Sequence, residues 1–268
     1  MDNRELKIYN RLKHDMTYVR NKGYIVFGVF LQGSQNYKLD YEGSDIDTKC
    51  IVIPTLEDIV LNKQPTSTTL ILDDNSHIDV KDIRLMWECF RKQNINFLEI
   101  LFTDYFIIPS EYYSYWEDMM SINEEIAHYN NYAAVNCIAG MVFEKYKALC
   151  HPYPTIKHKI DEYGYDNKQL HHIIRCHEFL LRYIKGESYE NCLIPIDPEY
   201  LIKVKSEYIY DVEEAKSLAE YIVEKVESIK EIYMATHECV VNKPVKEKMD
   251  RILTNIIRYS LKEDKNVT

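Results

Sequence analysis

Between residues 31 and 49 the chain reads LQGSQNYKLDYEGSDIDTK, in which a Gly33-Ser34 pair is followed, ten residues later, by Asp45 and Asp47. Read as the start of a strand, DID places both aspartates on one face and turns Ile46 to the other. Carboxylates held that close repel and resist joint ionisation unless a cation lies between them. Hard oxygen donors suit Mg²⁺ or Mn²⁺, and Mg²⁺ completes its shell with water and substrate phosphates. A divalent ion held in this way is a setting for in-line phosphoryl or nucleotidyl transfer. The segment HIDVKD offers a third carboxylate, Asp79, with Ile78 and Val80 facing away from it; aspartate is a poor strand former, which points to a role. Gly33 would let backbone approach a phosphate, and Ser34 adds a hydroxyl and an N–H there. Lys49, on the face of Asp45 and Asp47, would either touch a phosphate or neutralise the acids, and Lys81 has the same two readings beside Asp79. His77 reads as a surface histidine or as a partner behind the carboxylates.

These residues need elements to hold them. Apolar residues at helical spacing over 4–22 end at Gly23, which predicts an opening helix. YIVFGVFLQG (24–33) predicts a central strand running into the Gly33-Ser34 turn, and DIDTKCIVIP (45–54) a second strand closed by Pro54. TTLILDDNSHIDVKD (68–82) predicts two short strands around an Asp-Asp-Asn-Ser turn, with Asp82 as the N-cap of the helix IRLMWECFRKQ. From about residue 111 five segments carry apolar residues three and four apart, the pattern of a helical bundle. The expected organisation is a small mixed-sheet domain over 1–110 and a helical domain over 111–268 packed against it, the α+β class.

Composition narrows the setting. Hydrophobic residues make up 46% of the 268, charged residues 28%, and no apolar run is long enough to span a bilayer. MDNRELKIYNRLKH lacks a signal-type apolar segment, so a cytoplasmic location is expected and no membrane partner. Seven cysteines without a CxxC pair predict reduced thiols rather than a metal centre. A net charge of −10 argues against a surface that grips nucleic acid throughout. Residues 141–186 nevertheless hold eight bases against five acids and five of the nine histidines, so any anionic partner is expected there. The 23 tyrosines mostly fall at core spacing or in turns, which favours packing over base stacking.

Gly33-Ser34, Asp45-Ile46-Asp47 and the later Asp79 together resemble the DNA polymerase β-like nucleotidyltransferase superfamily. GSQNYKLDYEGSDIDTKCIVIP, HIDVKDIRLMWECFRKQNINFLEILF and GYDNKQLHHIIR are similar to its branch of bacterial and phage predicted nucleotidyltransferases, including those linked with RNA repair. The resemblance implies a polymerase β-like palm followed by helices, two Mg²⁺ (or Mn²⁺) ions held by Asp45, Asp47 and Asp79, and triphosphate contacts at Gly33 and Ser34. It implies transfer of a nucleoside monophosphate from an NTP such as ATP to an acceptor hydroxyl. An RNA 3′ end is the favoured acceptor, with a short end bound at 141–186, and a protein or a small molecule are the others. A non-catalytic nucleotide-binding or partner-binding protein on the same fold is the alternative.

On a wheel of about 100° per residue, His172, Arg175, Phe179 and Arg182 fall within about 40° of Lys168, with Leu170, Ile173, Ile174, Leu181 and Ile184 on the far side. Such a basic stripe suits polyphosphate, because arginine binds phosphate oxygens with two prongs. The plain reading is a solvated helix face. The branch has a similar Lys-x3-His-x2-Arg, so the expectation is that Lys168, His172 and Arg175 contact the nucleotide held by the aspartates, with Arg182 a further candidate.

Overall fold

The structure is a computed structural model that describes residues 3–41, 43–73 and 76–263. Asp74 and Asn75 of the expected turn, and Glu42 of the opening motif, lie outside the described residues. The chain falls into two compact units. Unit 1 comprises 1–36, 43–129 and 241–268, and unit 2 comprises 37–42 and 130–240. The division differs from a single cut near residue 110, because the helices of 113–127 and the C-terminal helix cluster with the sheet.

Unit 1 is built on a five-stranded mixed sheet. Helix α1 (Asn3–Asn21) leads into β1 (Ile25–Gln32), which ends in a 3-10 turn at Gly33–Tyr37. Then follow β2 (Asp47–Ile53), α2 (Leu56–Val60), β3 (Ser67–Ile71), β4 (His77–Asp82), α3 (Ile83–Arg91), α4 (Ile95–Leu98), β5 (Phe106–Ile107), α5 (Tyr113–Met120) and α6 (Asn123–Ala127). The strand order is β3-β4-β2-β1-β5, with β2 and β4 parallel and the other pairs antiparallel.

The two faces of this sheet carry different chemistry. A register shift between Val26 and Gly28 brings Val26, Val29 and Leu31 to one face, where they pack with Cys50, Val52, Ile78 and Val80 against Ile8, Leu12, Met16 and Val19 of α1. Each such fully buried aliphatic side chain contributes about 1.5–3 kcal/mol. The opposite face takes Phe27 and Phe30, both in ring contact with Trp116 of α5. Alternation along β2 and β4 therefore sends Asp47, Lys49, Asp79 and Lys81 to the face away from α1. Asp82 caps α3 as expected, accepting from the Arg84 N–H.

Unit 2 is helical: α7 (Asn131–Ala148), α8 (Lys157–Tyr163), α9 (Asn167–Tyr183), α10 (Tyr189–Leu193), α11 (Pro198–Ser206) and α12 (Val212–Thr236). Helix α9 packs against α7, α10, α11 and α12. Asp166 caps it and Asp211 closes a capping box on α12. The last helix, α13 (Lys243–Glu263), returns to unit 1, where Arg91 of α3 pairs with Asp250. Among the described residues no helix is long and apolar enough to cross a membrane, and no disulfide joins the cysteines.

Candidate functional site

The turn after β1 is pinned from several sides. The Asn36 amide donates to the Leu31 carbonyl at 2.8 Å and accepts from the Thr103 hydroxyl at 2.8 Å. Arg4 donates to the side chain and the carbonyl of Gln35, each at 3.1 Å. Gly33 holds a φ of +79°, a conformation that favours glycine. Its N–H donates to Glu99 Oε2 at 3.3 Å, and a Cβ added to it would stand 3.5 Å from Asp47 Oδ2. The glycine and the Asp47 carboxylate are thus neighbours, and Ser34 follows in the same turn, half-buried.

Asp45 departs from the expected geometry. β2 begins at Asp47, which pairs with Gln32, the last residue of β1. With β1 already turned away at Gly33, the ladder does not extend back beyond Asp47, so Asp45 lies off the strand and is exposed, while Ile46 packs on the α1 side. Neither Asp45 nor Asp47 has an ion-pair or side-chain hydrogen-bond partner among the described residues.

Asp79 differs in the opposite sense. Lys49 and Asp79 are register partners on β2 and β4, and Lys49 Nζ lies 3.0 Å from Asp79 Oδ2. Lys81 Nζ lies 2.9 Å from Asp79 Oδ1 and also donates to Ser67 Oγ at 2.9 Å. Both carboxylate oxygens are therefore engaged by ammonium groups. Lys49 is only 3% exposed and sits 4.1 Å above the Phe97 ring. Burial lowers its pKa, opposed by the charge and hydrogen bond of Asp79. Lys49 therefore pairs with Asp79, and not with Asp45 or Asp47 as one of its two expected readings had it. His77 is exposed.

Among the described residues no group of three His, Cys, Asp or Glu side chains is arranged to hold a metal ion. The donor chemistry divides the expected set. Asp45 and Asp47 are carboxylates without a counter-charge and fit a hard divalent cation whose remaining ligands are water and substrate phosphates. Asp79 does not fit as a third ligand in this arrangement, because a cation there would have to displace a lysine from it. Glu99, which sequence reasoning passed over, is 3% exposed and fixes the Gly33 turn. The signal available for it was an acid inside the apolar run NFLEILF.

The basic stripe of α9 lies in unit 2 and divides as well. Lys168 is exposed, His172 half-buried and Arg175 buried. Arg182 is a structural residue: Nε meets Glu187 Oε2 at 2.8 Å, and Nη1 meets Glu178 Oε1 at 3.2 Å and the Ile194 carbonyl at 2.7 Å. Those two acids, at four residues before and five after it, were in the sequence but off the face drawn on the wheel. The stripe is also not a solvated face, since Arg175 and Phe179 are buried within the unit.

No family model matches the chain, and no curated protein matches it either. Among solved structures, the chain is similar to a nucleotidyltransferase-like protein from Exiguobacterium sibiricum 255-15, with a TM-score of 0.32 at 9% identity over 91% of this chain and 78% of that one.

Proposed function

We propose that unit 1 is a nucleotidyltransferase that moves a nucleoside monophosphate from an NTP to an acceptor hydroxyl and releases pyrophosphate. The observation that supports this best is the pairing of a backbone turn open at Gly33 with the Asp47 carboxylate beside it, both on pinned elements and with Asp47 lacking a counter-charge. When bound, a divalent ion (Mg²⁺ or Mn²⁺) would offset charge on the phosphates as the acceptor oxygen attacks the α-phosphorus. Asp45 and Asp47 would hold it. Gly33 and Ser34 would seat the phosphate tail through backbone N–H groups and the Ser34 hydroxyl. Asp79 would act through Lys49 and Lys81, holding two ammonium groups on the face where the phosphates lie, in place of the direct ligand role the family resemblance implies.

The acceptor we favour is the 3′ hydroxyl of an RNA, on the basic excess of residues 141–186. A binding-only reading is favoured by one observation, the engagement of both Asp79 oxygens by lysine. The two part over turnover. An assay of pyrophosphate release with each NTP, Mg²⁺ and an RNA acceptor should show turnover that falls at least about 100-fold in Asp47→Asn. NTP binding with no pyrophosphate released from any NTP would leave the binding-only reading standing.

A further inference from the structure

Two carboxylates meet at Gly33. Its N–H donates to Glu99 Oε2 at 3.3 Å, and a Cβ on the same residue would stand 3.5 Å from Asp47 Oδ2. Asp47 has a proposed role as a metal ligand; Glu99 has none. It is 3% exposed and opens the 3-10 turn Glu99–Phe102, between the buried Leu98 and Ile100. An acid buried among apolar side chains loses its hydration, so its oxygens must find donors. One donor that Glu99 takes is the backbone N–H of the turn itself.

The segment carrying Glu99 is fastened to the same turn. Thr103 Oγ1 donates to Asn36 Oδ1 at 2.8 Å, and the Tyr105 carbonyl accepts from the Leu31 N–H at 2.9 Å. Rotation of the Glu99 side chain, rather than movement of the segment, is therefore what would release Gly33. The cations nearby are directed elsewhere: Lys49 and Lys81 to Asp79, and Arg4 to Gln35, two residues beyond the glycine. A phosphate oxygen that takes the Gly33 N–H must displace a carboxylate oxygen and then lies beside Glu99 and Asp47. Free polyphosphate is repelled by both acids. A triphosphate whose charge is offset by a divalent ion is not, because the ion brings positive charge to the same place.

We infer that Glu99 determines the form in which nucleotide is accepted: it holds the N–H of the Gly33 turn against triphosphate or pyrophosphate that arrives without a divalent ion, and so restricts the turn to metal-bound phosphates. The inference rests on the reading of unit 1 as a nucleotidyltransferase and adds a specificity-determining residue to it. Glu99 acts here through charge and through its hold on Gly33, and the metal stays with Asp45 and Asp47.

The test is calorimetric titration of the full chain with ATP, once in Mg²⁺ and once in EDTA, for the native protein and for Glu99→Gln. Glutamine keeps an oxygen that accepts from the Gly33 N–H and removes the charge, and the thermal midpoint checks that the fold is kept. The native chain should bind ATP at least about 100-fold more tightly in Mg²⁺ than in EDTA, a comparison that needs no variant. In Glu99→Gln the affinity in EDTA should rise at least about tenfold and the affinity in Mg²⁺ change less than about threefold. Pyrophosphate in EDTA should show the same gain. Equal native affinity in Mg²⁺ and EDTA, or a ratio unaltered in Glu99→Gln, would overturn the inference and leave NTP binding by unit 1 standing. No ATP bound by the native chain in either buffer would overturn the nucleotidyltransferase reading and the inference with it. Loss of Mn²⁺ affinity in Glu99→Gln as large as in Asp47→Asn, measured without nucleotide, would make Glu99 a metal ligand and overturn the selective role.

Discussion

Lys49 and Asp79 illustrate how far residue type and spacing reach. Alternation in HIDVKD places Asp79 on the face opposite Ile78 and Val80, and its side chain does lie there, in register with Lys49. What alternation cannot convey is which partner a carboxylate takes once the strands pair, since that depends on a cross-strand neighbour 30 residues away. The energetics follow from burial. Asp79→Ala strands Lys49 with its charge in a largely dehydrated position, so we expect a loss of about 3 kcal/mol in urea denaturation. Adding Lys49→Met should recover most of it, because the apolar chain of similar length refills the space over Phe97. Equal stability of the single and double variants would show that the pair does not carry the charge balance described. At Gly33 a side chain is disfavoured by the backbone rather than by space, since the contact to Asp47 would be an ordinary 3.5 Å. Gly33→Ala should cost about 1–2 kcal/mol of stability by the same measurement, and should weaken NTP binding further by setting a methyl at the phosphate approach.

At the scale of elements, helices with a strong apolar period and strands bounded by glycine, proline or acidic turns were legible. The opening helix, β1, the hairpin of β3 and β4, the Asp82 cap and the long helices of unit 2 all follow from local pattern. The start of β2 did not, because it is set by where β1 ends; nor did β5, two residues long, whose only cause is pairing with Val29 and Phe30. Helix α9 was found but its environment was not, since a wheel shows one helix and α7, α10, α11 and α12 cover it from several sides. That burial has a pH signature. The His171 ring nitrogen Nδ1 lies 2.9 Å from the Leu201 carbonyl, and the residue is 2% exposed, so it folds neutral with its pKa at about 3 instead of 6.5. The unfolded chain takes up the proton first as pH falls, so the contribution is complete above about pH 6.5 and is lost progressively towards pH 3. Between pH 7.5 and 5.5 the loss should be about 1.4 kcal/mol for this one histidine. Urea midpoints across that window should fall for the native chain and fall less for His171→Gln; identical pH profiles would remove His171 from the account. In the same unit Gly164, at φ +81°, would place a Cβ 2.7 Å from Val212 Cγ2. Gly164→Ala therefore combines backbone strain with overlap against a stiff β-branched side chain, and a stability loss of about 2–3 kcal/mol is expected in thermal or urea unfolding.

For the whole molecule, composition gives the sign of the charge and the structure shows which charges are paired. A negative chain keeps a local basic excess in 141–186, and the structure separates that excess into cations that build the fold, such as Arg182, and one that has no acid, Arg175. The carboxylates divide likewise, with Asp79 balanced by lysine and Asp45 and Asp47 left without counter-charge. The proposed nucleotidyl transfer rests on the carboxylates of unit 1, where Asp47 lies beside the Gly33 turn without a counter-charge. The most direct measurement is incubation of the full chain with each α-³²P-labelled NTP and Mg²⁺, with and without total RNA and protein, beside the Asp45→Asn/Asp47→Asn chain. The account predicts label in a macromolecular fraction, RNA foremost, with the native chain and none with the variant. NTP bound in a metal-dependent way with no label transferred to any fraction would contradict it.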